Sequence, residues 1–174
     1  IVDYTIPGNK VRLWCLKVEN NKVKVVVASD VAHGKGNGVK GSASVTSFST
    51  GNGTNASSVG AFVTTEIYYS TVGNLRKYSS SVAAETKENR RKYKGIALRI
   101  KGLDKTNNND LKRAIVIHGA WYRDKGRTGR SWGCLATKPS TNKKIIDFLG
   151  TGAFGYKFGG RMNAASVDTS WLNL

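Results

Sequence analysis

The chain has 174 residues, 39% of them hydrophobic and 22% charged, a composition that suits one globular domain with a core of its own and leaves two domains undersized. No apolar run approaches the ~18 residues that a membrane helix requires. Lysine and arginine outnumber aspartate and glutamate by 28 to 11, and the resulting charge of +17 calls for polyanionic or carboxylate-rich surroundings. Ile1 in place of an initiator methionine points to a signal peptide or longer N-terminal part removed beforehand.

In chain order, Val11–Val18 and Lys22–Val31 are β-branched alternating runs joined by Glu19-Asn20-Asn21, a hairpin pattern with Val23, Val25 and Val27 on one face. From Gly34 to Gly60 the chain is rich in Gly, Ser, Thr and Asn and is expected to form surface loops. Strand character returns at Ala61–Ser70, Gly95–Lys101 and Arg113–His118. Between the first two of these, Ser81–Tyr93 is a run of helix formers behind a capping serine, within a 71–93 segment that interrupts the strand pattern. Ser140–Gly150 opens on a capping residue, places Ile145, Phe148 and Leu149 on one face and stops at glycine, so a second helix is expected there. FGYKF (154–158) reads as a closing strand, and 160–174 as a mostly polar tail. The whole is expected to be mainly β, a compact sandwich or barrel with one or two short helices.

Residues able to make or break bonds are few. The two histidines, His33 and His118, lie far apart in the chain, which offers no short Cys/His spacing for zinc, and the eleven acids form no distinctive pair for glycoside hydrolysis. Cys15 sits mid-strand in RLWCLKV, which argues against a bridge to Cys134. His118 ends the apolar strand AIVIHG, and one loop later Cys134 follows Ser131-Trp132-Gly133. Imidazole and sulfur could meet there, but on pattern alone a buried structural cysteine explains the residues as well. Diffuse lysines such as Lys17, Lys22, Lys24, Lys35 and Lys40, with no basic-aromatic recognition motif, give no expectation of nucleic acid; a bacterial wall with free carboxylates and anionic polymers fits such charge.

IVIHGAWY followed by GRSWGCLA resembles the His-Gly and Ser-x-Gly-Cys signature of the L,D-transpeptidase catalytic domain (YkuD-type), in particular its branch with Trp before Gly-Cys. VASDVAHGKGNG (27–38), SFSTG (47–51), ASSVGAF (56–62), IALRIKGLD (96–104) and FGYKFG (154–159) also look like blocks of that family, in its order. The resemblance implies a single catalytic domain over 1–174 whose Cys134 attacks the carbonyl of a peptidoglycan stem peptide, forms a thioester and releases the terminal D-residue. An amine of an acceptor stem then takes the acyl group.

His118 would be the base that keeps the sulfur as thiolate, since a free thiol titrates at roughly 8.5. The resemblance assigns its orientation to the Gly119 carbonyl, and an oxyanion site to the N–H groups of Gly133 and Cys134. Ser131 would fix the turn or touch substrate, and Trp132 would border it. His33 either lines the cleft or makes a structural hydrogen bond. Ala136 stands where many members have arginine and Leu135 where the Trp branch has proline. Carboxylate recognition is therefore expected from the basic loop of Arg123, Lys125, Arg127 and Arg130, with Arg130 foremost. The 71–93 segment is longer than the family's usual connection and is expected to be a lid or flap. No cofactor or metal is implied. The expected setting is the cell envelope, periplasmic or secreted, as a monomer, with peripheral contact to anionic envelope polymers. Two rivals stay open at this point: an L,D-carboxypeptidase of the same chemistry with water as acceptor, and a non-catalytic basic wall- or nucleic-acid-binding β domain.

Overall fold

The computed structural model describes residues 1–69 and 95–160, and over these the chain is mainly β. In order it forms β1 (Val2–Asp3), β2 (Leu13–Glu19), β3 (Lys22–Ser29), β4 (Gly60–Tyr69), β5 (Ile96–Gly102), β6 (Val116–Gly119), α1 (Trp121–Asp124), β7 (Leu135–Thr137), α2 (Pro139–Leu149) and β8 (Phe154–Phe158). The helix expected over Ser81–Tyr93, the 71–93 flap and the tail beyond Gly160 lie outside the described residues.

All eight strands belong to one sheet in the order β3-β2-β1-β8-β4-β5-β6-β7. Neighbours are antiparallel except β1–β8 and β6–β7. The chain leaving β3 meets the far edge again through the bridges Ala32–Ala136 and Gly34–Ser131, so the sheet curls until its ends touch. That closure brings the stretch around His33 against the loop that carries Cys134. Closure also removes an exposed strand edge at this end of the sheet.

The interior is filled by alternate residues of the strands together with Ile145 and Ile146 of α2. On β5 these are Ile96, Leu98 and Ile100, and β6 and β7 add Ile117 and Leu135. Burying each such side chain contributes roughly 1.5–3 kcal/mol. The α2 helix begins one residue before the expected capping serine: Pro139 takes the first turn behind Lys138, its fixed φ being suited to that position, and Ser140 falls inside. It ends at Gly150, which has φ 55° and donates its N–H to the Ile146 carbonyl.

The β2–β3 hairpin forms around Asn20 and Asn21, both with positive φ (49° and 58°), the backbone of a tight type I′ turn. Its valines do not share one face. Cys15 pairs with Val27 but Leu16 pairs with Val25, so Val26 is an extra residue. This bulge reverses the facing of what lies beyond it: Val27 packs on the core, whereas Val23 is 65% exposed and Val25 also faces solvent. The alternating pattern could not show the bulge, because Val25-Val26-Val27 reads the same in either register.

Candidate active site

His118 lies near the end of β6, where β6 and β7 run parallel with His118 opposite Ala136. On its other side His118 pairs with Ala97 of β5. The histidine thus stands in a row between two alanines, and their small side chains leave the ring room above the sheet. Cys134 precedes β7 by one residue, which puts it on a diagonal of roughly 8 Å, Cα to Cα, from His118, given the usual strand spacing and rise. A loop between parallel neighbours is what converts distance in sequence into this proximity.

The His118 ring is oriented by its Nδ1, 2.6 Å from the Gly119 carbonyl oxygen. A carbonyl only accepts, so Nδ1 carries the proton and Nε2 of the neutral ring presents its lone pair. Burial lowers the His118 pKa, against a smaller opposing effect of the Gly119 hydrogen bond. The half-buried Cys134 is shifted the other way: burial raises its pKa, while the Val116 N–H and the charge of Arg113 act to lower it. Both shifts favour uncharged groups. The sequence reading has His118 keep the sulfur as thiolate, and burial of Cys134 works against that charge. The thiol is aimed at the Ala114 carbonyl, 3.9 Å away.

The turn before the cysteine is fixed from several sides. Gly133 has φ +110°, and a Cβ there would lie 2.7 Å from the Ala56 carbonyl oxygen and 2.9 Å from an Arg113 nitrogen, so only glycine fits. The Ser57 hydroxyl donates to the Gly133 carbonyl (3.0 Å) and accepts from the Gly34 N–H (3.0 Å). Because C=O and N–H point oppositely across a trans peptide, holding that carbonyl on Ser57 points the Cys134 N–H the opposite way. The buried Ser131 hydroxyl donates to the Cys134 carbonyl (2.8 Å) and accepts from the Gly133 N–H (3.3 Å). The Gly133 N–H is thereby engaged inside the turn.

Of the other residues singled out in the sequence, Trp132 projects into solvent at the rim, 68% exposed, with the Lys35 ammonium 5.6 Å from its ring centroid. Arg130 is exposed too, its guanidinium 5.5 Å from the ring centroids of Trp121 and Tyr122. Arg123 is not part of a basic mouth: it is fully buried, paired with Asp30 (2.7 Å) and donating to the Gly8 carbonyl. His33 is 1% exposed, with Nδ1 2.8 Å from Arg12. Arginine only donates, so this nitrogen accepts, and burial first, then Arg12 and Arg123, depress the His33 pKa to about 4. Its carbonyl accepts from the Ser131 N–H, so it acts behind the loop. Cys15 and Cys134 are both free thiols.

Three parts of the site were not singled out in the sequence: Ser57, Arg113 and a buried cluster of Ser58, Asp110 and Lys157. Lys157 forms an ion pair with Asp110, and Ser58 donates to Asp110 (2.7 Å) while accepting from Lys157 (2.7 Å). Ser57 and Lys157 do fall within the family-like blocks ASSVGAF and FGYKFG, but single residue types gave no reason to choose them. Among the described residues no group of three or more His, Cys, Asp or Glu side chains could hold a metal ion.

A curled β sheet that brings a cysteine on a glycine turn near a tautomer-fixed histidine is an arrangement suited to cysteine-dependent chemistry. A family model for the L,D-transpeptidase catalytic domain matches residues 1–79 and 74–158, and the chain belongs to that family, whose members are cysteine-dependent enzymes acting on peptidoglycan. No curated protein matches the chain significantly.

Proposed function

We propose that this domain is a peptidoglycan L,D-transpeptidase that cross-links stem peptides through a Cys134 thioester. The observation that carries the reading is the braced turn: Gly133 and Cys134 held by Ser57 and Ser131 next to a histidine whose Nε2 is the free acceptor. Cys134 Sγ attacks the donor carbonyl as its proton passes to His118 Nε2. The oxyanion forms toward the Cys134 N–H, where removing such a donor typically costs 10²–10³-fold in rate, as a rough scale. Collapse breaks the peptide bond, and the departing D-residue amine takes the proton from His118. The acceptor amine then loses a proton to His118 as it attacks the thioester, and sulfur leaves as the thiol.

Exposed Trp132 with Lys35, and Arg130 on Trp121 and Tyr122, form an aromatic and cationic rim suited to sugars and carboxylates of a stem. The charge of +17 supports work in the anionic cell envelope, periplasmic or secreted. Incubation with disaccharide tetrapeptides, followed by mass spectrometry beside Cys134→Ala, tests the reading. Dimers support it, tripeptides without dimers indicate the L,D-carboxypeptidase with water as acceptor, and an inactive wild type sinks both. A carbapenem is expected to add its mass to Cys134, and unmodified protein after exposure counts against an activatable thiol.

A further inference from the structure

The residue Arg113 closes the loop region that precedes β6, and its guanidinium does not point to solvent. One terminal nitrogen donates to the Ser49 carbonyl (3.0 Å) and the other to the Ala56 carbonyl (2.7 Å). That second nitrogen and the Ala56 oxygen are the two atoms nearest to where a Gly133 side chain would begin. Ala56 is followed by Ser57, whose hydroxyl holds the Gly133 carbonyl. On its other side Arg113 precedes Ala114, whose positive φ of 53° is unusual for alanine and whose carbonyl faces the thiol. One guanidinium fork therefore ties together both walls of the cysteine turn, a task that needs two donors in a fixed plane.

We propose that Arg113 is the positioning residue of the Cys134 turn and its resident cation: it pins the Ala56 carbonyl beneath Gly133 and ties it to the Ser49 carbonyl, and its fixed charge favours negative charge on sulfur and on the oxyanion formed beside it. The charged and titratable groups around Cys134 are His118 on β6, Asp110 ahead of it, Lys157 on β8, Tyr4 after β1 and Tyr122 in α1. Asp110 and Lys157 are paired with each other, and burial pushes the phenols of Tyr4 and Tyr122 up, so both stay neutral near pH 7. Arg113 is the cation whose charge is not matched by a carboxylate in that set, and it acts on Cys134 in the stabilising direction.

The part of the proposal that concerns the oxyanion rests on the transpeptidase reading; the part that concerns sulfur does not, and a small electrophile separates the two. The rate of Cys134 alkylation by iodoacetamide, assigned by peptide mass and followed against pH, is compared in wild type, Arg113→Gln and Arg113→Lys. Arg113→Gln is expected to move the alkylation midpoint up by about one pH unit, an approximately tenfold slower reaction at neutral pH. Arg113→Lys keeps a charge but loses the fork, so its midpoint should stay within ~0.3 unit of wild type while stem-peptide turnover falls about tenfold or more. A wild-type midpoint and rate in Arg113→Gln overturns the proposal. Should Arg113→Gln fail to fold, Arg113→Lys decides alone: wild-type turnover in that variant overturns the brace. The expected alkylation shifts together with absent stem-peptide turnover in every form, wild type included, would instead count against the transpeptidase reading.

Discussion

Two turns of this barrel use backbone that most residues avoid, and they are held in opposite ways. At the tip of the β2–β3 hairpin, Asn20 and Asn21 adopt positive φ with exposed Val18 and Val23 alongside. At the cysteine turn, Gly133 adopts φ +110°, its backbone hydrogen-bonded by Ser57 and Ser131, with Ala56 and Arg113 filling the space where a Cβ would sit. The first turn needs only residues that tolerate the conformation. The second needs glycine and a surrounding shell, and that shell is what turns a local bend into a preorganised site. The same contrast appears in their ion pairs: Lys17–Glu19 on the hairpin is open to water, whereas Lys157–Asp110 by the site is closed off from it.

The contrast is sharpest for Gly133→Ala. A methyl group 2.7 Å from the Ala56 oxygen, on a backbone with φ +110°, must displace the turn. Turnover should fall by about 10²-fold or more, and melting should report a loss of ~1–3 kcal/mol. Asn21→Ala at the other turn should cost less than ~1 kcal/mol and leave turnover unchanged, and equal damage at the two turns would erase the distinction.

Breaking the buried pair with Lys157→Met strands Asp110 and should cost ~3–5 kcal/mol in denaturant unfolding, against ~0–1 kcal/mol for Lys17→Met on the hairpin. Next in size is Ser57→Ala, which leaves the Gly34 N–H and the Gly133 carbonyl without a partner. A stability loss of ~1–3 kcal/mol with a fall in turnover is expected, and a change in stability alone would separate the serine from the chemistry.

A smaller effect is expected from pH. Folded His33 stays neutral down to about pH 4, while in the unfolded chain it takes up a proton near 6.5. The unfolded state therefore binds more protons between these values, so this contribution is full above ~6.5 and is lost as pH falls toward 4. His33→Asn should flatten that part of the melting-temperature profile, and an unchanged slope would mean that His33 is not held neutral. His118, lowered by burial, adds a term of the same sign. The smallest change is Asn21→Gly, which relaxes the hairpin turn and should stay within ~0.5 kcal/mol of wild type with full turnover.

The parts legible in the sequence share a local cause. Alternation exposed the long strands and Gly150 the end of α2, while the pattern alone left Cys134 open between a structural residue and a partner of His118. The two-residue β1 and three-residue β7 were missed because so short a run carries no period, although β7 is the strand that aligns Cys134 with His118. Arg123 looked like part of a basic loop because sequence gives charge without burial; its partner Asp30 arrives from the end of β3 only when the sheet closes. Ser57 and Arg113 were invisible for a related reason, since each acts on Gly133 through contacts between segments distant in the chain.

The central claim is that Cys134 carries the acyl group. Protein incubated with a tetrapeptide stem whose side-chain amine is acetylated, so that no acceptor amine is present, quenched in acid and mapped by peptide mass, should show a tripeptidyl thioester on Cys134 and none in Cys134→Ala. Shortened stems produced equally well by Cys134→Ala, with the wild-type cysteine unmodified, would contradict it.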